Sequence, residues 1–198
     1  MTLQYIKNRV TLPVFGINYC QAIAVKKNYY DFCRYFESQK IMKVNDELFM
    51  RRAIELSIQN VDNQGGPFGA VIVKDGKIVA TGVNRVTSNN DPTAHAEVMA
   101  IREAAQKLND FNLTGCTIYT SCEPCPMCLS AIYWARIDKI YYGNTKTDAK
   151  NIGFDDSFIY EEIEKPVDQR AIETHQLLHN EALSGFKKWE EFEGKTEY

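Results

Sequence analysis

One stretch constrains this chain more than any other: Ser121-Cys122-Glu123-Pro124-Cys125-Pro126-Met127-Cys128. Its cysteines stand at two consecutive C-x-x-C spacings, and its prolines favour a helix start just after the strand-like run Thr117-Ile118-Tyr119-Thr120. Upstream, Asp91-Pro92-Thr93-Ala94-His95-Ala96-Glu97 places His-x-Glu behind a second helix-start signal. The fold must bring these two starts together if the motifs are to share one chemistry.

That chemistry reads as metal catalysis. A catalytic zinc needs three protein ligands and one open position. Cys125 and Cys128 lie three apart on a helix's first turn, so their sulfurs can face one point, and the helix's positive end favours thiolate. His95 can supply the third ligand. Water on such a metal falls from a pKa of about 15.7 towards about 7, and Glu97 is the natural shuttle for its proton. On an ideal helix His95 and Glu97 would lie about 200° apart, so they converge only if both curl around the first turn. A redox pair would explain neither the third cysteine nor His-x-Glu. A structural zinc site would be closed by four ligands, with Cys122 the available fourth. Because Cys122 precedes the helix, it reads as a packing thiol beside the site. Cys116, inside the strand, reads as core.

Composition fits a soluble domain with an appendage: 198 residues, 44% hydrophobic and 25% charged. The net charge of −3 argues against a broad nucleic-acid footprint, since phosphate binding needs clustered Lys and Arg. Four of the six cysteines (Cys116, Cys122, Cys125, Cys128) crowd one short stretch, poor spacing for disulfides and good spacing for metal in a reducing, cytoplasmic setting. The run from Val10 to Ile17 is interrupted by Pro13 and followed by Asn18, which weakens a signal-peptide reading, and no run reaches membrane-spanning length.

Residues 1–41 have no clean period beyond a short amphipathic run from Tyr29 to Phe36, and are read as an N-terminal extension of unknown role, with Met42 a candidate initiator. Residues 42–198 are read as the catalytic domain. There Asn45 is expected to cap a helix reaching about Asn63. Phe68–Val73 and Lys77–Val83 form a hairpin about Asp75-Gly76, and Asp91-Pro92 opens a helix. Cys116–Thr120 is a strand, Cys125–Trp134 a helix with Tyr133 and Trp134 most simply core, and Ile137–Tyr142 another strand. The order implies a mixed sheet with helices on both faces. An irregular stretch to about Asp155 precedes a short helix, a break at Pro166, a last strand over Thr174–Leu178 and a helix from Ala182 to Phe192. His175 and His179 read as surface or structural histidines. Gly65-Gly66-Pro67-Phe68-Gly69 is either a turn into the first strand or a place where backbone approaches a ligand, with Phe68 offering a stacking face. Asn84 can cap a turn or read a base edge as donor and acceptor.

On these motifs the chain resembles the bacterial guanine deaminases of the cytidine-deaminase superfamily, from about Met42 to Tyr198. The Gly65–Val73, Asn90–Glu97 and Tyr119–Cys128 stretches set the superfamily. Ala131–Arg136, Gly153–Tyr160 and the terminal Glu197-Tyr198 carry the narrower match. The resemblance implies a three-layer α/β/α cytidine-deaminase fold and a homodimer that exchanges C-terminal segments. It implies hydrolysis of guanine to xanthine and ammonia by zinc-activated hydroxide, with one zinc per subunit on His95, Cys125 and Cys128 and Glu97 as proton shuttle. It further implies that Asn84 and the backbone around Ala96 hold the purine, that Phe68 stacks on it, that Asp156 contacts the base near its reacting amine, and that Tyr198 closes the partner's pocket. The N-terminal extension departs from the family pattern. Two rivals stand beside this reading. A tRNA adenosine deaminase would act on a flipped base, against which stands the acidic tail Glu190-Glu191-Phe192-Glu193. A non-catalytic zinc scaffold would have no use for Glu97.

Overall fold

The structure, a computed structural model, describes residues 19–197, with side chains from Asn45 onward and at a few earlier positions. The chain divides into two compact units, Met1–Val44 and Asn45–Tyr198. Helix α1 (Tyr19–Asp62) belongs in part to each. Asn45 is therefore interior to a helix rather than its cap, and the Tyr29–Phe36 run is one piece of a longer element. A cap's preference is worth about 1 kcal/mol and yields where the residues before it are also helical.

The second unit is built on a four-stranded sheet in the order β2-β1-β3-β4. Strands β1 (Gly69–Lys74) and β2 (Lys77–Val83) form the expected hairpin. Asp75 and Gly76 both take positive φ (50° and 71°), the demand of a two-residue turn that matches strand twist. Strand β3 (Cys116–Cys122) runs antiparallel to β1, and β4 (Lys139–Asn144) runs parallel to β3. The parallel pair requires a crossover, and helix α4 (Pro126–Trp134) supplies it.

Alternation along β1 defines the layers. Val71 and Val73 pack with Ala53, Phe49 and Leu56 of α1 and with Tyr119 on one face. Ala70 and Ile72 pack on the other with Ile118, Ile132 of α4, and Ala96, Ala100 and Ala104 of helix α3 (Ala96–Leu108). Alanines at every fourth position give α3 a flat side that lies close against β2. A Cβ on Gly82 would meet the Ala96 carbonyl oxygen at 2.0 Å. Asp46 accepts hydrogen bonds from the hydroxyls of Tyr119 and Tyr141, tying α1 to the sheet's far side.

Other boundaries depart from the sequence reading. Asp91-Pro92 does not begin a helix: the Asp91 carboxylate accepts from the Thr93 amide (2.8 Å) and hydroxyl (2.6 Å), and the resulting turn delays α3 to Ala96. A short helix α2 (Val86–Asn89) precedes that turn. The stretch expected to be irregular contains α5 (Lys146–Asn151), opened by a Thr145–Asp148 capping box. Helices α6 (Ser157–Glu164) and α7 (His179–Glu191) follow. Thr174–Leu178 is not a strand among the described residues, because nothing beside it offers a ladder. Tyr133 and Trp134 are 75% and 65% exposed, not core; only Ile132 and Ala135 of that turn face inward. No described helix is long and apolar enough to cross a membrane.

Candidate active site

The helix starts explain how His-x-Glu works. His95 is the N-cap of α3, with extended backbone (φ −71°, ψ 158°), and Glu97 is two residues into the helix. The 200° conflict of an ideal helix does not arise, because His95 is not helical. Cys125 likewise caps α4 (φ −64°, ψ 168°), Pro126 takes the first helical position and Cys128 lies in the first turn.

The two starts meet beyond the C-terminal end of β3. His95 Nδ1 lies 3.5 Å from Cys125 Sγ and 3.4 Å from Cys128 Sγ. All three ligand atoms lie within 4.8 Å of one another. Ligands of one tetrahedral zinc, at about 2.0 Å for nitrogen and 2.3 Å for sulfur, would stand about 3.6 Å apart, so the donor set fits that ion. Cys122 is outside the trio; its thiol donates to the Thr145 carbonyl at 3.7 Å. Three ligands leave a fourth position open, the arrangement of catalytic sites.

Glu97 is 6% exposed. Its Oε1 accepts from the Thr120 hydroxyl at 3.0 Å and its Oε2 from the Cys128 thiol at 3.4 Å. Burial raises its carboxyl above the ordinary range, while those hydrogen bonds pull the other way. Cys125 is drawn down to about 4, first by the hydrogen bond from Cys128 and then by His95. Cys128 is pushed up by sharing that proton and by burial, and the hydrogen bond to Cys125 raises His95. The cluster crowds ionisable ligand groups into a buried place where they compete for protons, a competition that a divalent cation at its centre would resolve by displacing them.

A cavity of about 590 Å³ opens over this cluster, within the size range of small-molecule sites. His95, Glu97, Phe68, Asn84 and Asp156 all line it. Asn84 is nearly buried; its Oδ1 accepts from the Val86 amide at 3.3 Å, which leaves the Nδ2 donor without a protein partner among the described residues. Ala96 is fully buried between His95 and Glu97, and its own side chain does not line the cavity. Asp156 is the N-cap of α6, its carboxyl raised chiefly by burial. Tyr198 lies outside the described residues. His175, exposed and paired with Glu173 at 2.7 Å, takes no part.

Three contributors escaped the sequence reading. Thr120 orients Glu97, and only the strand register could reveal that. Phe154 meets Phe68 edge to face at 4.9 Å, giving the cavity a second aromatic wall. Glu123 accepts from the Lys146 amide at 3.1 Å and anchors the segment that carries Phe154 and Asp156.

A zinc trio on two helix starts, a buried carboxylate beside it and a base-sized cavity above it define a hydrolytic deaminase centre. The chain belongs to the cytidine and deoxycytidylate deaminase family, whose zinc-binding region matches residues 43–144. It is 55% identical over 156 residues to the guanine deaminase of Bacillus subtilis (strain 168), covering 78% of this chain and 100% of that protein. The X-ray structure of guanine deaminase from Bacillus subtilis superposes with a TM-score of 0.75 at 56% identity, over 77% of this chain and 98% of that one. A tRNA-specific adenosine deaminase of Buchnera aphidicola (subsp. Schizaphis graminum) is 39% identical over 114 residues, 57% of this chain and 76% of its own length.

Proposed function

We propose that this chain hydrolyses guanine to xanthine and ammonia, as a step of purine catabolism or salvage. The observation that carries the proposal is the buried Glu97 carboxylate, hydrogen-bonded by Thr120, beside a donor set suited to zinc. The 55% identity to a guanine deaminase along that protein's full length supports guanine as substrate over a tRNA adenosine.

His95, Cys125 and Cys128 hold the zinc, one per subunit, which when bound makes water acidic enough to serve as a nucleophile at neutral pH. Glu97 takes one proton of the attacking water and gives it to N3 of the purine, then carries the proton of the new C2 hydroxyl to the departing amine, so water and guanine become xanthine and ammonia. Thr120 holds that carboxylate in line. Asn84 and the backbone around Ala96 grip the purine, Phe68 covers one face, and Asp156 approaches the base near the amine. Tyr198 closes the pocket from a second copy.

The C-terminal arm supports that last assignment. From Glu161 to Glu197 every residue but Glu162 and Lys195 is exposed, although the arm carries Ile172, Leu177, Leu178, Phe186 and Phe192. So much apolar surface on an extended segment needs a partner. The reading is a homodimer in which arms are exchanged, with the partner's Thr174–Leu178 segment adding to the β4 edge. We further assign residues 42–198 as the deaminase domain and residues 1–41 as an extension of its own, and place the protein in the cytoplasm, where thiol ligands stay reduced.

An ultraviolet assay of zinc-loaded protein with free guanine, adenine, cytosine and an anticodon stem-loop tests the substrate. Turnover of guanine alone is expected; turnover of the RNA alone would reverse the ranking.

A further inference from the structure

Resting on the guanine reading, we propose that Asn60 is a positioning residue that sets the width of the purine slot, by holding the segments that carry Phe68 and Asn84 at a fixed spacing. Asn60 lies in the last turn of α1, 2% exposed, a few residues before the Gly65-Gly66 pair. Its amide nitrogen donates to the Gly66 carbonyl at 2.8 Å and to the Asn84 carbonyl at 2.9 Å. The first acceptor lies two residues before Phe68, and the second belongs to the residue whose own side chain faces the cavity. The two segments also meet directly, through the Asn84 amide donating to the Phe68 carbonyl at 3.2 Å. One side chain thus pins both walls to α1.

The use of the amide is one-sided. Both of its N–H groups face carbonyls, while its Oδ1 is buried and has no partner among the described residues. The orientation is fixed by those acceptors, since turning the amide over would set oxygen against oxygen. An unsatisfied buried oxygen is a costly feature, tolerated here for the two donors beside it.

Gly65 and Gly66 complete the device. A Cβ on Gly65 would meet Asn60 Nδ2 at 2.3 Å, and a Cβ on Gly66 would meet the Asn84 side chain at 3.2 Å and Phe68 Cδ2 at 3.4 Å. The glycine pair is threaded between the positioning amide on one side and the purine-facing groups on the other. Both readings of this stretch, as a turn and as a close approach, are therefore parts of one mechanism.

The test is steady-state kinetics of the zinc-loaded enzyme on guanine, with calorimetric binding of xanthine as a readout that needs no turnover. Asn60→Asp keeps the shape and removes the donors. It is expected to raise KM and weaken xanthine binding about ten-fold, roughly one hydrogen bond's worth, with kcat within about three-fold and zinc content unchanged. Gly65→Ala should do the same by pushing the amide from its other side. Because Asn60→Ala removes the obstacle, the Asn60→Ala/Gly65→Ala double variant should be no worse than Asn60→Ala alone, a non-additive cycle that general destabilisation does not produce. The proposal fails if wild type turns over guanine and folded, zinc-loaded Asn60 variants match its KM, or if the two substitutions are additive. A wild type inert on guanine would instead overturn the substrate reading.

Discussion

At the residue scale, Glu97 is the group on which the reaction depends most sharply. Glu97→Gln is expected to keep zinc and fold while losing about 10²- to 10⁴-fold in kcat, the usual worth of a positioned proton shuttle, with melting unchanged or raised because a buried charge is removed. Metal analysis, a melting curve and the guanine assay check all three. Thr120→Val should lower kcat about 10- to 100-fold, the loss of one hydrogen bond to a charged group, with KM nearly unchanged. Cys125→Ala and Cys128→Ala should each release the metal on dialysis, measured by atomic emission. The cysteine pair was legible in the sequence because its spacing alone puts two sulfurs on one turn, whereas His95 and Glu97 join it only because His95 is extended at the start of α3. Thr120 was not, because its role follows from which face of β3 meets α3. Asn60 was invisible for a stronger reason: one of its two contacts spans 24 residues to Asn84, and no local pattern encodes it.

At the scale of elements, the hairpin and the zinc helix were readable from turn residues and Pro126, since these effects act within a few positions. The start of α3 was misread because Asp91-Pro92 serves equally as a helix cap or as an Asp–Thr turn, and only the latter leaves His95 extended. The α5 capping box was passed over because its helix is one short turn and a half with no apolar stripe to announce it. Tyr133 and Trp134 were taken as core because aromatic residues on an apolar helix usually are, but α4 has only one face on the sheet. Gly82→Ala tests how tightly α3 is seated. With 2.0 Å available to a new Cβ, α3 must shift, and the position of His95 shifts with it. The expected result is a loss of at least about 1–3 kcal/mol in denaturant unfolding, together with weaker zinc retention.

At the scale of the whole molecule, the mixed sheet and its layers followed from the order of elements, whereas the strand order β2-β1-β3-β4 did not, because element order alone does not say which strands pair. Deleting Tyr198 should lower guanine turnover without moving the melting midpoint; a full-rate deletion variant would remove it from the pocket. If arms are exchanged, a subunit with Glu97→Gln and an intact tail, mixed and refolded with a subunit lacking Tyr198, assembles one centre with both intact parts. Activity should then rise above that of either preparation alone, and no rise should occur if each tail closes its own pocket.

The bare apolar arm also has a meaning for the living cell. If arms are exchanged, a newly made chain presents Leu177, Phe186 and Phe192 to every protease and chaperone it meets until a second copy covers them. At low expression, yield should therefore climb more steeply than gene dosage, as the square of the message rather than in proportion to it. With exchanged arms, two alleles disabled in different parts of the site should likewise restore guanine turnover when made in one cell.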